Sequence, residues 1–297
     1  PASTMTLPAE LQPVLEQKFG ARISRTDSVS GGCISETARL ELADGQRAFV
    51  KWAHTREHSP GLFRAEATSL RAIARTETVR VPAVIDVVES ATDYSFLILE
   101  WLEPGTPTAE SWTSLGTRLA ELHQNRNENF GWIANNFIGS LPQSNQSHAK
   151  WSDFWRAERI LPQLRPASTH FSERDRARFE KLLNATDDLL GAGDEEGASL
   201  VHGDLWNGNV QMLAHGGAAL IDPSSYHGHR EVDLAMSKLF GGFTRDFYRA
   251  YEQVWPLRHG SDRRLLMYQL YYLLVHVNLF GASYVPNTLS VIGKLGF

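Results

Sequence analysis

The sequence predicts an α+β fold of two unequal lobes: a small, mostly antiparallel β-sheet lobe with one inserted helix, then a larger, mainly helical lobe. Three observations carry this. Strand-like alternation dominates residues 22–100, helical spacing dominates after residue 101, and the change falls at Trp101-Leu102-Glu103-Pro104-Gly105. A length of 297 residues agrees with two units. Residues 1–101 are expected to form the first lobe and residues 102–297 the second, with a ligand-binding cleft at the junction.

Residues 6–19 place Leu7, Leu11, Val14, Leu15 and Phe19 at helical spacing and stop at Gly20. Strands are expected over 23–29, 37–42 and 48–51, the last two joined by a hairpin turn at Asp44-Gly45. A polar loop through His58-Ser59-Pro60-Gly61 leads to a helix over 62–74. Strands over 83–88 and 95–100, turning at Thr92-Asp93, complete a sheet of about five. Past the junction, helices are expected over 112–124, 151–164, 173–190, 231–240, 244–254 and 262–280. The only clear strands there are 200–201, 210–213 and 218–221.

Composition narrows the partners. Hydrophobic residues make up 42% of the chain, enough for two cores. The formal net charge is −5 with no Lys/Arg-rich run, so neither nucleic acid nor a membrane surface is expected as a partner. A single cysteine, Cys33, excludes an intramolecular disulfide and a cysteine-based zinc cage. The start, Pro1-Ala2-Ser3-Thr4-Met5, lacks a basic region followed by an apolar core, so no secretory signal is expected. Residues 265–280 are interrupted by Gln269, His276 and Asn278 and read as a buried helix rather than a membrane span. A cytoplasmic protein, monomeric or weakly homodimeric, is the expectation.

Chemistry concentrates in Val201-His202-Gly203-Asp204-Leu205-Trp206-Asn207-Gly208-Asn209 and in Leu220-Ile221-Asp222. Phosphoryl transfer from a nucleotide needs a carboxylate to orient a hydroxyl and take its proton, plus amide and carboxylate oxygens to hold magnesium. Asp204 suits the first role; Asn209 and Asp222 suit the second. Their hard oxygen donors argue against zinc despite His202, His227 and His229 nearby. Asp, Asn and Gly are also ordinary turn residues. What lifts this stretch above a turn is His202-Gly203 before it and a strand ending in Asp222 after it. His202 titrates near neutrality as a free side chain, yet is expected to brace the loop rather than to move a proton.

Upstream, Lys51 ends a predicted strand and Glu66 lies within the following helix, the arrangement of a phosphate-binding lysine held by an ion pair. Glu57 is a weaker partner, too close to the strand end. In Ser30-Gly31-Gly32-Cys33-Ile34-Ser35, Gly31 and Gly32 would let backbone amides approach phosphates. The full G-x-G-x-x-G spacing is missing, and no G-x-x-x-x-G-K-[ST] run marks a P-loop NTPase. Glu100-Trp101-Leu102 occupies the inter-lobe position where the backbone of Glu100 and Leu102 would hydrogen-bond adenine. ATP and Mg2+ are the expected cofactors.

These features together resemble the kinase fold in its small-molecule branch, and more narrowly the fructosamine kinases, also called ketosamine-3-kinases. Matching stretches include Gly31-Gly32-Cys33-Ile34-Ser35-Glu36, Phe49-Val50-Lys51, the run from Tyr94 to Leu102, Leu122-His123-Gln124 and Asn136-Phe137-Ile138-Gly139. The strongest are the 202–209 loop and the string from Asp222 through Tyr226, Gly228, Arg230, Glu231 and Asp233 to Met236. His-Gly-Asp with a later Asp is shared with aminoglycoside and choline kinases; Trp206 and the 222–236 string point more narrowly. Ser30 stands where a further Gly is common and Asn207 where Ser is frequent.

The resemblance implies a protein-kinase-like bilobal fold and ATP-dependent phosphorylation of the 3-hydroxyl of ketosamines, borne on small amines, amino acids or proteins. The 3-phosphate makes such adducts labile, so the implied role is deglycation. It further implies Asp204 as catalytic base, Asn209 and Asp222 as magnesium ligands, and Lys51 with Glu66 positioning phosphates. Asp233 would anchor the catalytic loop from a helix start. Trp206 would either stack on the sugar or pack within its loop. Arg230 and Glu231 are expected as a buried pair rather than as substrate contacts. Cys33 is either a plain loop residue or a redox switch. An aminoglycoside- or choline-type kinase and an inactive nucleotide-binding regulator are the competing readings; intact Lys51, Asp204, Asn209 and Asp222 weigh against the latter.

Overall fold

A computed structural model describes residues 7–29, 35–56, 58–89 and 93–297. The expectations for Gly31, Gly32, Cys33 and Glu57 lie outside the described residues. Helix α1 (Leu11–Phe19) ends at Gly20, whose φ of 65° suits a residue without a Cβ. Five antiparallel strands follow: β1 (Ile23–Ser28), β2 (Glu36–Leu42), β3 (Arg47–His54), β4 (Val84–Val88) and β5 (Tyr94–Glu100), in the order β1-β2-β3-β5-β4. Helix α2 (Leu62–Ala74) is inserted between β3 and β4.

The pleat sorts side chains onto two faces. Phe96 and Ile98 join Ala48, Val50 and Trp52 in a small core closed by Leu11 and Leu15 of α1. Leu97 and Leu99 point the other way, into the main core with Phe63, Ala67, Leu70 and Ile73 of α2. Lys51 stands opposite Leu97 in the β3–β5 ladder and therefore shares that second face, toward α2. It lies inside β3, which runs on to His54, and not at a strand end as expected.

The junction is pinned rather than free. The Gly105 N–H donates to the Met212 carbonyl at 2.8 Å, and Leu220 N–H donates to Arg80 O at 2.8 Å. A Cβ on Gly105 would sit 2.2 Å from the Leu213 carbonyl oxygen, so only glycine allows this approach. Beyond it come α3 (Ala109–His123), capped reciprocally by Thr108 and Ser111, then β6 (Arg126–Asn127) and the hairpin of β7 (Asn136–Ile138) with β8 (Leu141–Gln143).

The expected helix over 151–164 forms as α4 (Trp151–Phe154), a π-helical turn (Trp155–Ile160) and α5 (Leu161–Ala167). Pro162 has no N–H for the Glu158 carbonyl, which instead accepts from Arg159 Nη1 at 2.9 Å. The expected 173–190 helix is two, α6 (Glu173–Asn184) and α7 (Thr186–Glu196), parted at Ala185. Strand β9 (Ala198–Val201) lies between β6 and β12 (Tyr226–Gly228), while β10 (Val210–Met212) and β11 (Ala218–Leu220) form a hairpin. Helices α8 (Glu231–Leu239), α9 (Arg245–Val254) and α10 (Ser261–Phe280) fall close to the expected spans. Helix α11 (Val285–Leu295) was not expected, because Asn287, Ser290 and Gly293 dilute its apolar spacing. Among the described residues, no helix is long and apolar enough to cross a membrane.

Candidate active site

The loop between β9 and β10 is held by its backbone. Asp233, fully buried near the start of α8, accepts the N–H of His202 at 2.7 Å and of Gly203 at 2.9 Å. Gly203 has φ +87°, and a Cβ there would lie 2.1 Å from the Ser224 carbonyl oxygen. Its own carbonyl accepts from the Tyr272 hydroxyl of α10 at 2.9 Å. His202 is also buried. Its Nε2–H donates to Ile221 O at 2.9 Å, and Nδ1 accepts the Asp204 N–H at 3.3 Å. With both nitrogens used and burial pushing its pKa down, His202 sits as a neutral brace.

Asp204 then projects a half-buried carboxylate. Burial, followed by the negative charge of Asp222, raises its pKa to about 7, against a lowering contribution from Asn209. The Asn209 amide donates to Asp204 O at 2.8 Å and Asp204 Oδ2 at 3.2 Å. Those two bonds occupy its N–H groups and leave the carbonyl Oδ1 as the atom available to a cation. Asp222 presents the second oxygen donor, its side chain one-third exposed, from a residue with φ 55°, rare outside glycine. Among the described residues, no group of three or more His, Cys, Asp or Glu could hold a metal by itself. A hard cation here would complete its shell with phosphate and water, which suits magnesium.

Lys51 faces this carboxylate from the other lobe. Its ammonium contacts Asp222 Oδ1 and Glu66 Oε1, the latter at 2.8 Å. Burial opposes its charge, but Asp222 and Glu66 outweigh that and hold the pKa above the usual lysine range. Glu66 is pushed up to about 7 by burial, with Lys51 opposing and Asp222 reinforcing. The sheet face that carries Lys51, the α2 face that carries Glu66 and the end of β11 thus meet at one ion-paired cluster.

Glu100 N–H is used by Ala83 O at 2.9 Å, and its carboxylate pairs with Arg80 and accepts Ala83 N–H at 3.0 Å. Any adenine contact from Glu100 would therefore come from its carbonyl. Trp101 and Leu102 follow as half-buried irregular backbone.

The fructosamine kinase family model matches residues 7–296. The chain belongs to this family. A probable ketoamine kinase of Synechocystis is 40% identical over 96% of this chain and 94% of its own length. The mouse ketosamine-3-kinase is 32% identical over 96% and 99%. A crystal structure of a fructosamine-3-kinase candidate from Thermobifida fusca superposes with a TM-score of 0.86 at 36% identity, covering 96% of this chain and 98% of that one. Aminoglycoside phosphotransferase APH(4)-Ia shares the fold, with a TM-score of 0.62 at 19% identity.

For this fructosamine kinase family member, two sequence expectations need correcting or sharpening. Arg230 and Glu231 are both buried but do not pair. Arg230 binds Glu196 through Nε at 2.8 Å and Nη2 at 3.0 Å, and Glu231 binds Arg264 at 2.8 and 2.7 Å. Adjacent residues at a helix start point to different sides and cannot face each other. Trp206 is 41% exposed, its ring lying over Gly208, where a Cβ would be 2.2 Å from it. The ring both packs on its loop and keeps a free surface.

Two supporting residues were missed. His123 donates Nε2–H to Asp233 at 3.0 Å and accepts the Tyr251 hydroxyl at 2.7 Å through Nδ1; Tyr272 holds Gly203. The first stands in the matching stretch Leu122-His123-Gln124 and on the buried side of α3, but neither signal gave it this role. Nothing in the sequence marked the second.

Proposed function

We propose that this chain transfers the terminal phosphate of ATP to the 3-hydroxyl of a ketosamine, so that the sugar adduct becomes labile and the amine is released. Membership of the fructosamine kinase family supports the acceptor class, and relatives named ketosamine-3-kinase and ribulosamine 3-kinase share about a third of their residues with it (32% and 33% identity). The observation that carries the chemistry is a carboxylate, Asp204, with a pKa of about 7, beside an amide and a second carboxylate that a buried lysine faces.

In this reading Asp204 accepts the proton of the attacking hydroxyl, for which a pKa near the working pH is the favoured setting. Lys51, held by Glu66, binds nucleotide phosphate, and the Glu100 and Leu102 backbone borders the adenine. Asn209 Oδ1 and Asp222 would hold magnesium, which neutralises charge on the phosphates when bound. Trp206 offers its free ring face to the acceptor. The lobes meet near residue 101, with the nucleotide between them.

The test is an acceptor panel: fructosyl-lysine and ribulosyl-lysine beside choline and kanamycin, with ATP and magnesium. Turnover confined to the ketoamines is expected. Preference for choline or kanamycin would overturn the acceptor, and nucleotide binding with no turnover on any acceptor would make the chain a regulator.

A further inference from the structure

Asp222 keeps a φ of 55°, a strained conformation for a residue with a Cβ, and such strain persists only where the surroundings impose it. Part of the hold comes from the loop that carries Asp204. Ile221 N–H donates to Asn209 O at 3.0 Å, and Ser224 N–H donates to His202 O at 2.9 Å. The rest comes from elements that carry no proposed catalytic group. The Asn136 amide of β7 donates to the Ser225 carbonyl at 2.9 Å, and the Gln143 amide of β8 reaches the Ser224 carbonyl at 3.4 Å. From the first lobe, the Ser69 hydroxyl of α2 accepts the Ser225 N–H at 3.2 Å.

The β7–β8 hairpin spends buried amides on this contact. Asn136 and Gln143 are partners in its ladder, so their side chains leave the same face, and both are buried. Asn136 Oδ1 accepts from Gln143 Nε2 and from Asn145 Nδ2, each at 2.8 Å. The Tyr271 hydroxyl of α10 donates to Gln143 Oε1 at 2.6 Å. Arg159, from the π-helical turn, donates Nη2–H to Asn145 Oδ1 at 2.7 Å. Buried amides are costly unless bonded, and a satisfied network of them is rigid. The hairpin ladder pairs through its backbone without these side chains. What the amides add is a fixed grip on the backbone of Ser224 and Ser225.

We propose that Asn136 and Ser69 are positioning residues for the cation that Asp222 would hold. The inference rests on the magnesium and nucleotide roles proposed above. Neither residue touches metal or nucleotide in that reading; each acts through the Ser224-Ser225 backbone on the Asp222 carboxylate. Ser69 lies one turn after Glu66 and on the same side of α2. One short stretch therefore sets both carboxylates that hold Lys51. Groups that orient a metal ligand commonly change metal affinity by about 10- to 100-fold, and action through backbone places the effect near the lower end.

The test is calorimetric binding of AMP-PNP, with magnesium and with EDTA, to the wild type, Asn136→Leu and Ser69→Ala. The quantity read is the gain in affinity that magnesium confers. Asn136→Leu should cut this gain about tenfold and Ser69→Ala about threefold, with the Kd in EDTA staying within about twofold of the wild type. Ser69→Ala removes one oxygen from a helix and should fold, so it decides the matter even where Asn136→Leu does not. An unchanged gain in either folded variant overturns the role of that residue. Equal weakening with and without magnesium also overturns it, since general damage to the fold would do the same. No gain from magnesium in the wild type overturns the magnesium reading itself, and this inference with it.

Discussion

Asp204 is placed where ionisation is costly, and that has two consequences. Its pKa of about 7 means the proposed base is half protonated at neutrality. Since only the carboxylate can take a proton, kcat/KM should fall about tenfold per pH unit below pH 7 and level off above it. A profile flat from pH 5 to 8 would remove Asp204 from the role. The same shift bears on stability. A folded pKa raised above the unfolded value favours the folded state only while the group is protonated, and this advantage is lost as pH rises through about 7. Asp204→Asn should therefore be more stable than the wild type at pH 8, by about 2 kcal/mol after allowing for the half-buried setting, and little different at pH 4. Urea unfolding at the two pH values checks it. The proximity of Asp204, Asn209 and Asp222 was legible because one short loop and one hairpin join them. His123 and Tyr272 were not, because their partners lie 110 and 69 positions away.

At the scale of elements, the loop that carries Asp204 depends on a conformation that only glycine adopts without strain. Gly203→Ala would meet both an unfavourable φ of +87° and a Cβ–oxygen distance of 2.1 Å. A loss on the order of 2–4 kcal/mol, with activity lost alongside, is expected from thermal unfolding and steady-state assays. An unchanged melting temperature would mean the loop is not held as described. Helical spacing gave α2 and α9 to within a few residues, since burial sorts their faces, whereas α8 and α10, buried nearly all round, were found from mostly apolar runs of helical length. Periodicity did not give the π-helical turn at residues 155–160, which needs Pro162 to be weighed against the Glu158 carbonyl. It also did not give β6, β7, β8 or β12, strands of two or three residues that are too short to show alternation.

For the molecule as a whole, the two lobes are linked through charge as well as backbone. Behind the loop that carries Asp204, the residues Asp233, His123, Tyr251, Arg230 and Glu196 form one buried hydrogen-bonded chain. Burial opposes ionisation of Glu196, but His229 and Arg230 outweigh it and hold its pKa below the usual carboxylate range. Its stabilising contribution is therefore present above the unfolded carboxylate pKa and lost as pH falls. Glu196→Ala leaves Arg230 buried without its carboxylate and should cost about 3–5 kcal/mol, read by urea unfolding at pH 7. In front of the loop, the Lys51–Asp222 pair joins the lobes beside Asp204, where the acceptor and nucleotide would meet. The most direct test is 31P NMR of fructosyl-lysine incubated with ATP, magnesium and either the wild type or Asp204→Asn. A phosphomonoester on the sugar 3-oxygen should form with the wild type, and at a rate roughly 100- to 10,000-fold lower with the variant. A phosphate on any other oxygen, or a variant as fast as the wild type, would contradict the account.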